Sequence, residues 1–146
     1  MLPILETKRC ILKEVSIENA KDMYEYAKEE KVVKYMTFPK HESIENTKYL
    51  IENKVATLGY CLHPDYWNKG IMTEVVKKLS KFGFDELKLD KIVAQFYDGN
   101  IKSGNVMKRC GMKYLGSEER EIKLQGKIGM GKIHKCEITK EDYYKD

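Results

Sequence analysis

From Val55 to Leu62 the chain reads Val-Ala-Thr-Leu-Gly-Tyr-Cys-Leu, an apolar, β-branched and aromatic run that predicts a strand. Pro64 breaks the run, Asp65 to Gly70 reads as a tight polar loop, and a helical period begins at Ile71. Its spacing turns Ile71, Val75, Leu79, Phe82 and Leu87 inward and lysines outward. Upstream, Arg9 to Val15 reads as a first strand. Ser16 then offers an N-cap to a helix in which Ile17, Ala20, Tyr24 and Ala27 recur at helical spacing. Phe38-Pro39-Lys40-His41 is a break, and Ser43 opens a second helix carrying Ile44, Thr47, Leu50 and Ile51. Downstream, Asp90 to Tyr97 alternates, with Ile92, Ala94 and Phe96 on one face and Val93 and Gln95 on the other. Asn100 caps a short helix with Val106, Met107 and Cys110 inward, ended by Gly111. Met112–Leu124 and Lys127–Thr139 form a long hairpin turning at Gln125-Gly126. Strands alternating with helices before a terminal hairpin predict an α/β or α+β fold with a mixed sheet.

Composition narrows this picture only a little. A chain of 146 residues suits one domain, 1–146, with a proper core. The net charge of +4 is mild and acidic residues are mixed among the lysines, which argues against a nucleic-acid binder but leaves room for an anionic small ligand. No apolar run approaches membrane-spanning length, and the N-terminus lacks a signal-peptide core, so neither a membrane nor secretion is expected. Cys10, Cys61, Cys110 and Cys136 are far apart and form no Cys-x-x-Cys pair, which argues against a metal centre or a disulfide framework and for reduced thiols in a cytoplasm.

The chemistry concentrates at the strand–loop–helix junction. A helix start leaves backbone N–H groups without partners and carries partial positive charge, so it accepts phosphate. Gly70 lets the backbone approach a ligand closely, and Asn68 is among the few non-glycine residues that tolerate a left-handed conformation.

Three places together resemble the GNAT superfamily of N-acetyltransferases, most closely the branch of ribosomal-protein N-terminal acetyltransferases. The first is the junction itself: the family's acetyl-CoA loop, Val-x-Pro-x-x-(Gln/Arg)-x-x-Gly-x-(Gly/Ala), falls on Leu62, Pro64, Trp67, Gly70 and Met72. The second is Asn100-x-x-Ser103 followed by Lys108-Arg109-Cys110-Gly111-Met112, and the third is the opening Leu5-Glu6-Thr7-Lys8-Arg9-Cys10-Ile11-Leu12. The resemblance implies a shortened acyl-CoA N-acyltransferase fold in which strands 55–62 and 91–97 are parallel and splay apart around acetyl-CoA. It implies that backbone amides of Asn68, Lys69, Gly70, Ile71, Met72 and Thr73 hold the pyrophosphate. An N–H near Leu62 would stabilise the oxyanion of a tetrahedral intermediate formed by direct attack of a primary amine, on a protein N-terminus or a small molecule. Asn100 and Ser103 flank the pantetheine arm, with Ser103 as a hydrogen-bond donor to the departing sulfur.

Other residues carry two readings each. Ser103 and Asn100 are also ordinary helix-start residues. Glu119 and Glu121 sit where a base could face the cleft, or on a solvated strand face. His63 has a suitable pKa for a base, Tyr97 and Asp98 end a strand near the cleft, and Cys110 reads as a small core residue rather than a nucleophile. Trp67 is expected to pack under the loop, and Lys69, Lys102 and Lys108 to steer phosphates or simply to solvate helix faces. The family has two further strands before the Val55 strand, whereas Asn53-Lys54 here joins the second helix to it directly. Met107 and Gly131 stand where the family often has a tyrosine acid and an aspartate. The shortening predicts that the first strand pairs onto 55–62, or that a second chain covers the gap in a homodimer, with elements exchanged. The alternative to an active enzyme is a degenerate family member that binds CoA or a protein partner without turnover.

Overall fold

The computed structural model describes residues 3–36, 39–52 and 60–145. They divide into two compact units, one comprising Met1–Ile4, Lys13–Lys69 and Ile122–Gly129, the other Leu5–Leu12, Gly70–Glu121 and Met130–Asp146.

In the first unit a 3-10 turn, Ile17–Asn19, leads into α1 (Ala20–Ala27), followed by α2 (Glu30–Val33) and α3 (Ile44–Glu52). The N–H of Ser16 donates to Asn19 Oδ1 at 3.0 Å, so the helix start expected at Ser16 is present, though its first turn is tighter than α-helical. Ala20 and Ala27, two turns apart, are buried, and α1 packs against α3. Ser43 caps α3 as the sequence suggests, its Oγ accepting from the N–H of Asn46 at 3.4 Å. Between the two helices, His41 donates its backbone N–H to Ala27 O at 2.9 Å and sets Nδ1 2.7 Å from Thr47 Oγ1, a fully buried polar pair. Thr37 and Phe38, part of the expected break, lie outside the described residues.

The second unit opens on β1 (Leu5–Glu6) and β2 (Ile11–Leu12), paired antiparallel with Leu5 opposite Leu12. The single strand expected over Arg9 to Val15 is therefore corrected to a small hairpin. Thr7 explains the break: its N–H donates to Cys10 O at 2.9 Å while its Oγ1 accepts from Cys10 N at 2.9 Å, which closes a turn across the middle of the apolar run. Then come α4 (Ile71–Asp85), β3 (Lys91–Tyr97), α5 (Ile101–Arg109), β4 (Lys113–Leu124), β5 (Lys127–Thr139) and a last turn, α6 (Lys140–Tyr143), which the sequence reading missed. The sheet order is β3-β5-β4, and β3 runs antiparallel to β5 with Ile92 opposite Ile138, Ala94 opposite Cys136 and Phe96 opposite His134. That face carries the core of Phe84, Met107, Met112, Cys136 and Ile138. The hairpin turns where expected, with Gln125 at φ 50° and Gly126 at φ 77°, as a two-residue turn of this hand requires.

Two expectations need correction or fall away. The inward face of α4 is Val76, Ser80, Gly83 and Phe84, whereas Leu79 and Leu87 are 48% and 56% exposed. Small residues set this register: a Cβ on Gly83 would stand 3.1 Å from Leu89 and 3.3 Å from Ile92, so the helix lies close on the sheet exactly where its sequence looks least apolar. The strand expected over 55–62 lies for the most part, 55–59, outside the described residues, and with it the splayed parallel pair. Tyr60–Leu62 join no sheet among the described residues.

Candidate active site

The start of α4 has the geometry of an anion site. Gly70 is its N-cap at φ 72°, in the left-handed region that only glycine enters without cost, and Asn68 also has a positive φ of 59°. The first intrahelical bond runs from Glu74 N to Gly70 O at 3.1 Å, so the amides of Ile71, Met72 and Thr73 lie above the hydrogen-bonded turns. Thr73 Oγ1 is buried with no hydrogen-bond partner among the described residues. Just before this start, in the first unit, Pro64–Tyr66 form a 3-10 turn, and the Trp67 indole N–H donates to Leu62 O at 2.7 Å. That bond ties Trp67 back to the residue before the loop. Lys69 Nζ stands 5.7 Å from the Tyr66 ring centre.

Glu74, in the first turn of α4, accepts from Arg9 twice: from its backbone N–H at 2.8 Å and from Nε at 2.7 Å. Hydrogen bonds from Thr7 and from Arg9 hold its carboxyl down at about 2. Within the second unit, the third resembling segment, Leu5 to Leu12, is therefore tied to α4 through this pair, a role the sequence does not reveal.

Asn100 and Ser103 come together at the start of α5. Asn100 is the N-cap by position, but its side chain makes no cap bond, so the plain capping reading accounts for less than expected. Ser103 sits half-buried in the first turn. Gly104 beside it lies flat on Phe96, where a Cβ would approach the ring at 2.8 Å. The loop before α5 is tied back by its own bonds: Asp98 N–H to Lys132 O at 3.0 Å and Asn100 N–H to Tyr97 O at 3.0 Å. Glu119 and Glu121 are exposed on β4, and β5 separates that strand from β3 by about two strand spacings, roughly 10 Å. His63 uses Nδ1 to accept from Asp65 N at 3.2 Å, a local turn contact.

Cys110 is buried, donates to Thr73 O at 3.6 Å and has its thiol pKa pushed up by burial, which fits a core residue rather than a nucleophile. Met107 is also core. Burial pushes the Tyr26 phenol to about 12 and the Cys61 thiol to about 11.

One cluster escaped the sequence reading. His134 Nε2 lies 2.8 Å from Asp98 Oδ1 and Nδ1 lies 2.9 Å from Tyr114 Oη, while Phe96 stacks on the imidazole at 4.8 Å and 14°. The sequence marks Asp98 as a strand end near the cleft, without a partner for it. The period-2 face of β5, His134-Cys136-Ile138, was the available signal for His134, but nothing in the sequence joined it to Tyr114.

Gly70 at the start of α4 and Asn100 and Ser103 at the start of α5 are the positions that the resemblance to N-acetyltransferases singles out. Residues 49–113 match the acetyltransferase (GNAT) domain family. The chain is 26% identical over 152 aligned positions to the uncharacterized N-acetyltransferase YoaA of Bacillus subtilis (strain 168), covering 80% of this chain and 86% of that one. Those positions outnumber the 146 residues here while drawing on only part of them, so the relative carries residues that this chain lacks. Among solved structures, the fold matches a GNAT-family acetyltransferase from Bacillus anthracis with a TM-score of 0.83 at 20% identity, over 95% of this chain and 99% of that one. It also matches RimL, the ribosomal L7/L12 alpha-N-protein acetyltransferase in complex with coenzyme A, with a TM-score of 0.79 at 13% identity, over 94% and 98%. The chain has the fold of the GNAT acetyltransferases and resembles N-acetyltransferases in sequence.

Proposed function

We propose that the chain, acting as one domain over 1–146, moves an acetyl group from acetyl-CoA to a primary amine, either a protein N-terminus or a small amine, by direct attack of that amine on the thioester. The observation that carries the cofactor site is the start of α4: Gly70 in the left-handed region, the amides of Ile71, Met72 and Thr73 beyond it, and a buried Thr73 hydroxyl without a partner among the described residues. Asn68 and Lys69 directly precede it in the chain. Asn100 and Ser103 would flank the thioester, with Ser103 donating to the sulfur as it leaves. Direct attack needs no enzyme nucleophile, in keeping with the burial of Cys110.

A second reading, cofactor binding without turnover, draws support from Met107, only 3% exposed at the position the resemblance gives to a general acid, and from the exposure of Glu121. Thermal unfolding with acetyl-CoA, followed by an amine panel scored for free thiol, separates the two. Stabilisation with thiol release supports the transferase. Stabilisation alone favours binding only, and no stabilisation refutes the cofactor site. The shortened N-terminal half supports a homodimer; light scattering that gives a monomer mass at all concentrations counts against the dimer.

A further inference from the structure

We propose that His134 is a positioning residue of acetyl transfer, whose bond to Asp98 sets where the start of α5 holds Asn100 and Ser103. The inference rests on the transferase reading above and adds a residue to which that reading gives no part.

β3 ends at Tyr97, and Asp98-Gly99-Asn100 turns the chain into α5. Gly99 takes φ 83°, and the N–H of Asn100 closes the turn on Tyr97 O at 3.0 Å. A turn closed by one bond is free to tilt against its sheet. Asp98 ties it down from β5: its N–H donates to Lys132 O at 3.0 Å, and its Oδ1 accepts from His134 Nε2 at 2.8 Å. Main chain and side chain are thus both held, by alternate residues of one strand. The imidazole itself has little freedom. It stands opposite Phe96 in the β3–β5 register, stacks on that ring at 4.8 Å and 14°, and pairs through Nδ1 with Tyr114 Oη at 2.9 Å. The same Phe96 ring meets Gly104, the residue after Ser103, where a Cβ would stand 2.8 Å from it. His134 therefore touches both supports of the α5 start, the turn before it and the ring beside it.

The Asp98 side chain is 63% exposed, so its pairing with His134 adds little to overall stability. Reaction geometry is far more sensitive, because a misplacement of about 1 Å can cost about a hundredfold in rate. The bond therefore acts on where Ser103 meets the departing sulfur and not on whether the chain folds.

The test compares the full chain with His134→Phe, His134→Gln, Asp98→Ala and the His134→Phe/Asp98→Ala double variant. Acetyl-CoA affinity is measured by calorimetry, and kcat by thiol release with N-terminal peptides and simple primary amines as acceptors. His134→Phe keeps a flat ring against Phe96 and loses the bond. Its kcat is expected to fall about tenfold or more, while acetyl-CoA affinity, assigned to the start of α4, stays within about twofold. Asp98→Ala should match it, and the double variant should fall no further, because both changes remove one bond. His134→Gln, whose amide can donate toward Asp98, should recover part of the lost kcat. If His134→Phe does not fold, the exposed Asp98→Ala carries the test with the same expected fall. Unchanged kcat in the folded variants overturns the proposal, and so does a loss confined to affinity. Equal losses in the Phe and Gln variants, or losses that multiply in the double variant, overturn it too, because the ring's shape and not its bond would then matter. A wild type that turns over an amine while every variant matches it refutes this proposal alone. One that binds acetyl-CoA and releases no thiol refutes the transferase reading and this proposal together.

Discussion

Gly104 lies against the ring of Phe96 so closely that a Cβ there would stand 2.8 Å from Cζ and 3.1 and 3.3 Å from the two Cε atoms. A ring held by stacking on His134 cannot swing aside as a flexible side chain would. Gly104→Ala is therefore expected to cost about 1–3 kcal/mol by overpacking, despite alanine's better helix propensity. Pairing it with Phe96→Leu should return part of that loss. Thermal melts of the single and double variants check this, and a Gly104→Ala protein as stable as wild type would show that α5 is not pressed onto the sheet.

Glu74 sets an acid limit on the β1–β2 turn. Its folded pKa of about 2 lies below the ordinary 4.5, held there by Thr7 and Arg9. The folded state thus binds fewer protons than the unfolded chain between those values. The stability contributed by the pair is full above pH 4.5 and is lost as the pH falls toward 2. Denaturant midpoints from pH 7 to pH 2.5 should fall more steeply for wild type than for Glu74→Gln over that window. Parallel curves would refute the clamp.

Much of this architecture was legible in the chain, and the misses share one cause. Ser43, the β3 alternation and the Gln125-Gly126 turn announce themselves locally, because caps, period-2 faces and left-handed turns depend on residues a few positions apart. The inward face of α4 was misread because Ser80 and Gly83 are small for the sake of close packing, and smallness reads as polarity in a periodicity argument. The turn at Thr7–Cys10 was hidden inside an apolar run, since its bonds come from one hydroxyl rather than from glycine or proline. At the site, Gly70 and Asn68 were readable from conformational preference alone. Arg9 beside Gly70 and Tyr114 beside His134 were not, because sequence spacing carries no record of which distant strands meet.

His41 and Thr47 form the buried polar pair of the first unit, with Nδ1 and Oγ1 2.7 Å apart. Thr47→Val keeps the shape but removes the hydroxyl that pairs with Nδ1, at an expected cost of about 1–3 kcal/mol. Burial also lowers the His41 pKa. The folded state therefore resists the proton that the unfolded chain takes up near 6.5, so stability is full above that value and declines as the pH falls below it. His41→Gln should flatten this decline between pH 7.5 and 5.5. A wild-type stability that does not change across that range would contradict the neutral, buried imidazole.

The chain of Asp98, His134 and Tyr114 makes the last prediction. Asp98 can only accept, so Nε2 carries the proton toward it, and Nδ1 on the far side of the ring pairs with the Tyr114 hydroxyl. The hydrogen bond from His134 holds the Asp98 pKa below the ordinary carboxylate value, although the side chain is 63% exposed. His134→Phe keeps a flat ring for Phe96 to stack on while removing both hydrogen bonds. In that variant Asp98 should titrate closer to an isolated aspartate, as followed by its carboxyl carbon in NMR. Tyr114→Phe should leave Asp98 depressed, because the tyrosine only completes the far side of the ring. Asp98 immediately precedes Gly99 and Asn100, so releasing it should also loosen the start of α5, seen as faster amide exchange at Ser103 and Gly104. Faster exchange in His134→Phe but not in Tyr114→Phe would place the control of that helix start on the aspartate. Equal effects in both would place it on the stacked ring instead, for the imidazole's position would then depend on its tyrosine partner as much as on its carboxylate.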